Sequence, residues 1–286
     1  MEYRSVGELS AQHVATVASG ATPACKVCGA PTRVYDVVDF SKTCDYALYP
    51  DGFSGCPLYY YRCGECAFIF TDFCDTFSPA EWHTHIYNAD YARIDPDYVS
   101  VRPHGNAKVV DAVAHWFKRS LVGLDYGGGS GLTSKLLRER GYVYDTYDPF
   151  GETRLSPDLR GTYNFCSAFE VIEHSPNPRE LMQTIVSLAT PGRLIMMIGT
   201  QTHDGSVCDA SRLSWWYVGP RNGHISIYSR RSLAVLAAQF GMTCTCVSKS
   251  THLLTRGYSP LQITGLRCLL FAGKLTRLTR KLLGSG

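Results

Sequence analysis

Closely spaced glycines between residues 121 and 137 form the first group whose types and spacing suggest chemistry. The stretch reads LVGLDYGGGSGLTSKLL, and its ligand-binding candidates are Asp125, Gly127, Gly128, Gly129 and Gly131. Glycine weakens helices and strands, but its missing Cβ lets a ligand lie against the main chain. Backbone N–H groups at the start of a helix favour anionic or polar groups of such a ligand. The stretch therefore predicts a strand, a loop that binds a nucleotide or nucleoside cofactor, and a helix.

The spacing of the glycines distinguishes between the kinds of ligand that the loop could bind. A nicotinamide or flavin site requires G-x-G-x-x-G, whereas the sixth position counted from Gly127 is Leu132. A P-loop requires G-x-x-x-x-G-K-[ST], which the sequence lacks. The pattern that is present is D-x-G-x-G-x-G, from Asp125 to Gly131.

An acidic residue ends the next predicted strand. The alternation in GYVYDTYDPF, residues 141–150, indicates a strand that ends at Asp148, 17 residues after Gly131. A carboxylate roughly 20 residues beyond such a loop can accept hydrogen bonds from both hydroxyls of a ribose. The alternative role is that of a solvated turn residue before Pro149.

A third segment combines a strand with two acidic residues and a histidine. YNFCSAFEVIEHSPNP, residues 163–178, predicts an apolar strand followed by Glu170, Glu173 and His174. A helix is predicted near residues 179–188, and GRLIMMIGT, residues 192–200, indicates a further strand.

Together these segments resemble the motifs of class I S-adenosylmethionine-dependent methyltransferases. In that family the D-x-G-x-G-x-G loop holds the methionine end of the cofactor, and F-E-V-x-E-H before a P-x-P-like loop is common. The resemblance covers about residues 106–242 and implies an α/β fold with a Rossmann-like sheet of seven strands. It also implies that the loop glycines, Asp125, Asp148 and Phe169 bind S-adenosylmethionine.

Two C-x-x-C pairs indicate a metal site. The segments CKVCG and CGEC supply Cys25, Cys28, Cys63 and Cys66. Four thiolates in tetrahedral geometry suit zinc and leave no open position, so the site would be structural. The gap of 34 residues between the pairs exceeds that of the usual zinc ribbon, and Cys44, Cys56 and Cys74 are alternative ligands.

The chain is predicted to contain five regions. These are a flexible start (1–22), a zinc-binding β module (23–74), a connecting region (75–104), the methyltransferase domain (105–250) and a C-terminal extension (251–286). With 286 residues, of which 45% are hydrophobic, the chain can form one ordinary domain and a small accessory one. Helical spacing in NAKVVDAVAHWFK, residues 106–118, predicts a helix that packs on the sheet.

The C-terminal extension is basic. From residue 255 onward it has six basic residues and no acidic one. Its leucines near one helical face are Leu266, Leu269, Leu270, Leu278 and Leu282. Two roles stay open: a basic amphipathic helix in weak contact with an anionic membrane surface, or a terminal helix packed on its own domain or a partner subunit. The sequence shows no apolar bilayer-spanning segment and no N-terminal signal pattern, so we expect a cytoplasmic protein.

A four-cysteine module before a methyltransferase domain resembles two groups of enzymes. One group acts on small molecules such as sugars and nucleotide-sugars, and the other methylates guanine in ribosomal RNA. Residues 25–100 carry five Lys/Arg and eleven Asp/Glu, whereas a module that binds phosphates should be basic. The charge favours a sugar, nucleotide-sugar or related natural-product intermediate over nucleic acid. A third hypothesis is a protein that binds the cofactor but is catalytically inactive.

Aromatic and histidine-containing segments supply candidates for substrate contact and proton removal. The insertion SWWYVGPRNGH, residues 214–224, should lie over the carboxyl edge of the sheet, where ligands bind in open α/β folds. The substrate candidates are Tyr87, Tyr91, Trp216 and Arg221. His224 is the first candidate for the general base, because an imidazole pKa of about 6.5 suits proton removal near neutral pH. His174 is the rival, and a tyrosine or no side-chain base is the remaining alternative.

Overall fold

A computed structural model describes residues 4–45, 47–115, 120–151, 160–208, 210–266 and 268. The α-helices in this part of the chain are α1 (Val6–Ala18), α2 (Pro79–His85), α3 (Tyr91–Ile94), α4 (Val101–Ala114), α5 (Leu132–Arg138), α6 (Pro178–Leu188) and α7 (Arg230–Ala238). The strands are β1 (Thr32–Asp39), β2 (Pro57–Cys63), β3 (Ile69–Phe70), β4 (Val122–Tyr126), β5 (Val143–Tyr147), β6 (Phe165–Phe169), β7 (Leu194–Gly199), β8 (Ser226–Ile227), β9 (Thr243–Cys246) and β10 (Thr251–Arg256). The strands and helices predicted around the glycine loop, and the strands that end at Phe169 and Gly199, are confirmed.

One of two units contains Val99–Phe169, Thr184–Gly199 and Gly241–Gly286 and is built on a sheet of order β5-β4-β6-β7-β10-β9. The first four strands in that order are parallel, and β10 is antiparallel to both β7 and β9. Every residue of β7 is buried, as expected for a central strand covered on both faces. The α/β prediction is confirmed. This sheet has six strands among the described residues, so the prediction of a seven-stranded sheet is not confirmed.

The helix before β4 packs through small and branched side chains. In α4, Ala107, Val110, Val113 and Ala114 are fully buried in the core of this unit. The predicted packing stripe of residues 106–118 is therefore confirmed as far as Ala114. Trp116 and Phe117, which belong to the same prediction, lie outside the described residues.

The start of the predicted C-terminal extension differs in the structure. Residues 251–256 form β10, which pairs along its whole length with β7, from Thr251 opposite Gly199 to Arg256 opposite Leu194. The physical reason is burial, because Leu253 and Leu254 carry apolar side chains that β10 places inside the sheet. Most of the basic tail, including Leu269, Leu270, Leu278 and Leu282, lies outside the described residues.

The other unit combines Met1–Tyr98 with Glu170–Gln183 and Thr200–Phe240. Its antiparallel sheet has the order β1-β2-β3-β8, and Ile227 of β8 pairs with Ile69 of β3. Both isoleucines are fully buried, so the two short strands bury each other's apolar side chains. The sheet that carries the second cysteine pair is thus completed by residues that the sequence assigns to the methyltransferase domain.

The predicted flexible start is wrong for residues 6–18, which form α1. Ser5 caps the helix by accepting the N–H of Glu8, and the Glu8 carboxylate accepts the N–H of Ser5. Leu9 and His13 are buried, and the His13 ring accepts the N–H of Tyr59 at 2.9 Å. No helix among the described residues is long and apolar enough to span a membrane.

Candidate functional site

The glycine loop connects β4 to α5 at the carboxyl end of the parallel strands. Gly127, Gly129 and Gly131 have φ values of 70°, 54° and 73°, a region that residues with a Cβ rarely adopt. Gly131 is the N-cap of α5, and the N–H of Gly127 donates to the carbonyl of Tyr147 at 2.7 Å. These contacts hold the loop over the ends of β4 and β5.

Gly128 is required for close approach. A Cβ at this position would lie 2.7 Å from Oδ2 of Asp125 and 2.8 Å from Cγ2 of Thr146. Oγ1 of Thr146 is buried and has no hydrogen-bond partner among the described residues. The loop therefore crosses closely above two polar side chains, one of which has an unused hydroxyl.

Asp125, near the end of β4, lies directly beside Gly128 of the loop. Its carboxylate is buried and accepts a hydrogen bond from Oγ of Ser167 at 2.5 Å. Burial raises the pKa of Asp125 to about 7, while hydrogen bonds from Ser167 and Thr133 act in the opposite direction and the charge of Asp148 raises it further. The hydrogen bonds of the Asp125 carboxylate among the described residues are therefore to the sheet and to α5.

Asp148 directly follows β5, where the sequence predicted a ribose-binding carboxylate. Its Oδ2 accepts the N–H of Gly129 at 2.8 Å, and its Oδ1 accepts the N–H of Phe150 at 2.9 Å. Phe169 ends β6, on the other side of β4 in the sheet order. The structure thus places the glycine loop, Asp148 and Phe169 at the carboxyl ends of three adjacent parallel strands. A glycine-rich loop, a half-exposed carboxylate and an aromatic ring fit a nucleoside cofactor.

The four cysteines of the C-x-x-C pairs come together in the other unit. The Cys25 and Cys66 sulfurs are 3.6 Å apart, those of Cys28 and Cys63 are 3.5 Å apart, and all four lie within 4.8 Å of one another. Tetrahedral zinc with Zn–S bonds of about 2.3 Å requires S···S distances of about 3.8 Å. The donor set and its spacing therefore fit zinc. The alternatives Cys44, Cys56 and Cys74 are not in the cluster.

Both cysteine loops have the same backbone form. The residue after each pair, Gly29 or Ala67, has a positive φ, 77° or 57° respectively. The N–H of Cys66 points to the Cys63 sulfur at 3.4 Å. A positive φ at Ala67 is uncommon for a residue with a Cβ, which indicates that the surrounding contacts hold this turn.

Side chains from later in the chain bind the carbonyls of both cysteine loops. Arg179 donates to the carbonyl of Lys26 at 3.0 Å, and Gln239 donates to that of Val27 at 2.7 Å. In the second loop, Ser229 donates to the carbonyl of Cys66 at 2.7 Å, and the His203 ring donates to that of Ala67 at 2.8 Å. The cysteine cluster is therefore part of the folded core of its unit.

The two candidate bases meet in this same unit. His174 and His224 are 50 residues apart in sequence, and their rings pack edge to face with centroids 4.8 Å apart. The N–H of Ile225 donates to the Glu173 carbonyl at 3.0 Å, and Ser226 donates to the Ser175 carbonyl at 2.8 Å. A Cβ on Gly223, whose φ is 88°, would lie 2.8 Å from Nδ1 of His174. Glycine at 223 thus permits the approach of the two segments.

His224 is buried, and a backbone contact fixes its tautomer. Its Nδ1 lies 2.8 Å from the Tyr217 carbonyl oxygen, which can only accept, so Nδ1 carries the proton. In the neutral ring Nε2 is then the basic nitrogen. The Cys44 sulfur lies 3.2 Å from the same Nδ1.

Glu173 is a fully buried carboxylate beside these histidines. Tyr217 donates its O–H to Oε1 of Glu173, while Oε2 has no hydrogen-bond partner among the described residues. Burial raises the pKa of Glu173 well above its ordinary value, and the nearby charge of Glu170 adds to the effect. One ligand atom each from Glu173, His174 and His224 lies within 4.8 Å of the others.

The four predicted substrate residues make separate contacts near Glu173, His174 and His224. The ring of Tyr87 lies 6.2 Å from that of His174 and 5.1 Å from that of Tyr91. Trp216 packs on Tyr217 at 5.5 Å. Arg221 donates to the Ile86 carbonyl and to the side chain of Asn88, each at 3.0 Å, and so contacts the residues on both sides of Tyr87.

No sequence pattern points to Lys42 as a residue of this site. This lysine is 2% exposed, donates to the carbonyls of Trp215 and Val218, and has its pKa lowered to about 8 by burial. The same short segment contains Cys44, whose N–H donates to Asn222 at 2.8 Å. An isolated lysine among polar residues looks like a surface charge, and only the tertiary structure reveals that it holds the loop before His224.

Comparison with known proteins identifies one family. Residues 98–247, which are 150 of the 286, match the family described as methyltransferase domain. No curated protein matches the chain.

Similar solved structures share low identity with this chain. A plantazolicin methyltransferase in complex with S-adenosylhomocysteine is 16% identical, with 71% of this chain and 89% of that chain covered and a TM-score of 0.45. The 1,6-didemethyltoxoflavin-N1-methyltransferase of Burkholderia thailandensis is 17% identical, with 63% and 89% covered and a TM-score of 0.40. The magnesium protoporphyrin IX methyltransferase of Synechocystis PCC 6803 is 17% identical, with 53% and 82% covered and a TM-score of 0.36.

Proposed function

The chain belongs to the methyltransferase-domain family, and we propose that it transfers the methyl group of S-adenosylmethionine to a sugar, a nucleotide-sugar or a related natural-product intermediate. The observation that carries the proposal is the bond between the N–H of Gly129 and the carboxylate of Asp148, 2.8 Å long, at the ends of adjacent parallel strands. It joins two segments that the sequence marks separately as candidates for a nucleoside site.

The cofactor would be held by the backbone of the glycine loop and by the side chains around it. Asp148 would accept hydrogen bonds from the ribose hydroxyls with the carboxylate that accepts the Gly129 N–H in this structure. Phe169 offers an aromatic face at the end of β6. The cofactor supplies an activated methyl group on a sulfonium, so the protein must align a nucleophile with the S–CH3 bond and remove a proton from it.

The acceptor side of the reaction is assigned to the cluster of His174 and His224. The segment with Glu170, Glu173 and His174 follows β6 directly in the chain. The tautomer of His224 makes Nε2 the basic nitrogen, which suits proton removal from an acceptor hydroxyl. Tyr87, Tyr91 and Trp216 offer faces for a sugar ring.

The cysteine cluster is assigned to one structural zinc ion. Its four sulfurs occupy all positions of a tetrahedral site, so no position is open for chemistry. The acidic surroundings of this region, residues 25–100, favour a small acceptor over a nucleic acid. Zinc would stabilise the loops that Arg179, Gln239, Ser229 and His203 contact.

The proposal is tested by transfer of labelled methyl from S-adenosylmethionine to a panel of nucleotide-sugars. His224→Asn is the informative variant, because an asparagine amide can still donate to the Tyr217 carbonyl but lacks Nε2. We expect near-normal folding and a turnover that is lower by roughly 10²- to 10⁴-fold. His104→Asn is a matched control, since Nδ1 of the exposed His104 also contacts a carbonyl, that of Ser100, at 2.8 Å. Normal turnover of His224→Asn at every pH would contradict the assignment, and a lower melting temperature with a matching loss of activity would make the residue structural.

A further inference from the structure

Glu173, His174 and His224 form a second group of metal-ligand type. Their ligand atoms lie within 4.8 Å of one another, and this group shares no residue with the cysteine cluster. Glu173 and His224 are buried, and His174 is half-buried. Two imidazoles and one carboxylate form the donor set of three-ligand sites for divalent transition-metal ions, which keep open positions for other ligands.

The surroundings of the Glu173 carboxylate favour a bound cation. The side chain is fully buried, yet Oε2 has no hydrogen-bond partner in the described part of the chain. None of the ion pairs among the described residues includes Glu173. A buried carboxylate oxygen without a partner is costly. A bound cation would remove this cost.

His224 is oriented as a metal ligand usually is. Metal-binding histidines almost always donate their second ring N–H to a carbonyl or carboxylate, which fixes the ring and its tautomer. His224 makes this contact through Nδ1 to the Tyr217 carbonyl. Tyr217 also donates its O–H to Oε1 of Glu173, so one residue orients two members of the group.

We propose that Glu173, His174 and His224 bind one divalent cation of the manganese, iron or cobalt type, in addition to the zinc of the cysteine cluster. The inference deepens the proposed function and rests on it for the role of the cation. An acceptor hydroxyl that occupies an open position on the cation loses its proton to solvent more readily. Its oxygen then bonds to the methyl carbon as the S–CH3 bond breaks, and the electron pair of that bond stays on sulfur. In this form of the reaction Nε2 of His224 is a ligand, and the cation takes over the activation of the acceptor hydroxyl that the proposed function assigns to that nitrogen.

The test is a titration of the full chain with Mn²⁺. Binding is measured as the loss of the electron paramagnetic resonance signal of free Mn²⁺. Zinc is kept at one equivalent per chain, because thiolates prefer zinc whereas carboxylate and imidazole donors accept Mn²⁺. Glu173→Gln preserves the shape of the side chain and an acceptor for the Tyr217 O–H. His174→Asn alters a half-buried ligand and serves if Glu173→Gln fails to fold. The control is Glu180→Gln, which removes an exposed carboxylate at the start of α6.

We expect the wild type and Glu180→Gln to bind one Mn²⁺ per chain with equal affinity, and the other two variants to bind at least roughly 10-fold more weakly. Equal binding by all four proteins, or no stoichiometric binding by the wild type, would overturn the inference. Calorimetry of S-adenosylmethionine binding on the same samples separates the two proposals. Cofactor binding without Mn²⁺ binding rejects the cation and leaves the proposed function intact. Mn²⁺ binding without cofactor binding rejects the proposed function and leaves the metal site.

Discussion

Asp125 should make the stability of the protein depend on pH in a defined window. Burial is the main cause that raises the pKa of its carboxyl from 3.8 to about 7. A group with a raised pKa in the folded state stabilises that state fully below the unfolded pKa, and the contribution is lost as the pH rises through the folded pKa. The window therefore runs from about pH 4 to about pH 7. A shift of about 3 pH units at about 1.4 kcal/mol each corresponds to a loss of about 4 kcal/mol.

Asp125→Asn should remove this loss, because the amide keeps the shape of the protonated carboxyl but cannot ionise. Relative to the wild type, its free energy of unfolding should rise by about 4 kcal/mol between pH 4 and pH 8. Urea denaturation followed by circular dichroism at closely spaced pH values, with zinc present, measures the difference. Glu139→Gln, at the exposed end of α5, controls for the loss of one negative charge. A difference between Asp125→Asn and the wild type that stays constant over this range would refute the reasoning.

Three further outcomes are expected. Gly128→Ala should lower stability by about 1–3 kcal/mol and weaken cofactor binding, because its Cβ would lie 2.7 Å from an Asp125 oxygen; an unchanged melting temperature would contradict this. Cys63→Ser combined with Cys66→Ser should abolish zinc binding in elemental analysis and lower the melting temperature, and full zinc occupancy would reject the four-thiolate site. Gly223→Ala should separate His174 from His224, so turnover should fall while cofactor affinity, measured by calorimetry, stays close to that of the wild type.

The sequence predicts those parts of the fold whose signals are local. The glycine spacing after Asp125 and the apolar runs that end at Tyr126 and Phe169 identify the strands and the loop of the candidate cofactor site. The C-x-x-C pairs likewise mark four thiols without reference to the rest of the chain. The reciprocal cap of α1 between Ser5 and Glu8 is also a local signal, but the helix further depends on contacts with distant residues, such as that of His13 with Tyr59, which a mainly small and polar segment does not reveal.

The cluster of histidines could be predicted only in part. His174 and His224 attract attention separately, through the E-H and G-H pairs. Their proximity depends on the bond from Ile225 to the Glu173 carbonyl and on the lack of a Cβ at Gly223, and both are tertiary features. The pairing of Glu173 with Tyr217, 44 residues later, is equally non-local.

The central claim is that the glycine loop and Asp148 bind S-adenosylmethionine, and titration calorimetry tests it most directly. The wild type should bind the cofactor or its demethylated product, and Asp148→Ala should weaken that binding by about 1–3 kcal/mol, because the ribose hydroxyls lose their acceptor. Glu139→Ala removes an exposed carboxylate at the end of α5 and should bind the cofactor as the wild type does. Unchanged affinity in Asp148→Ala, or tighter binding of NAD than of S-adenosylmethionine by the wild type, would contradict the account.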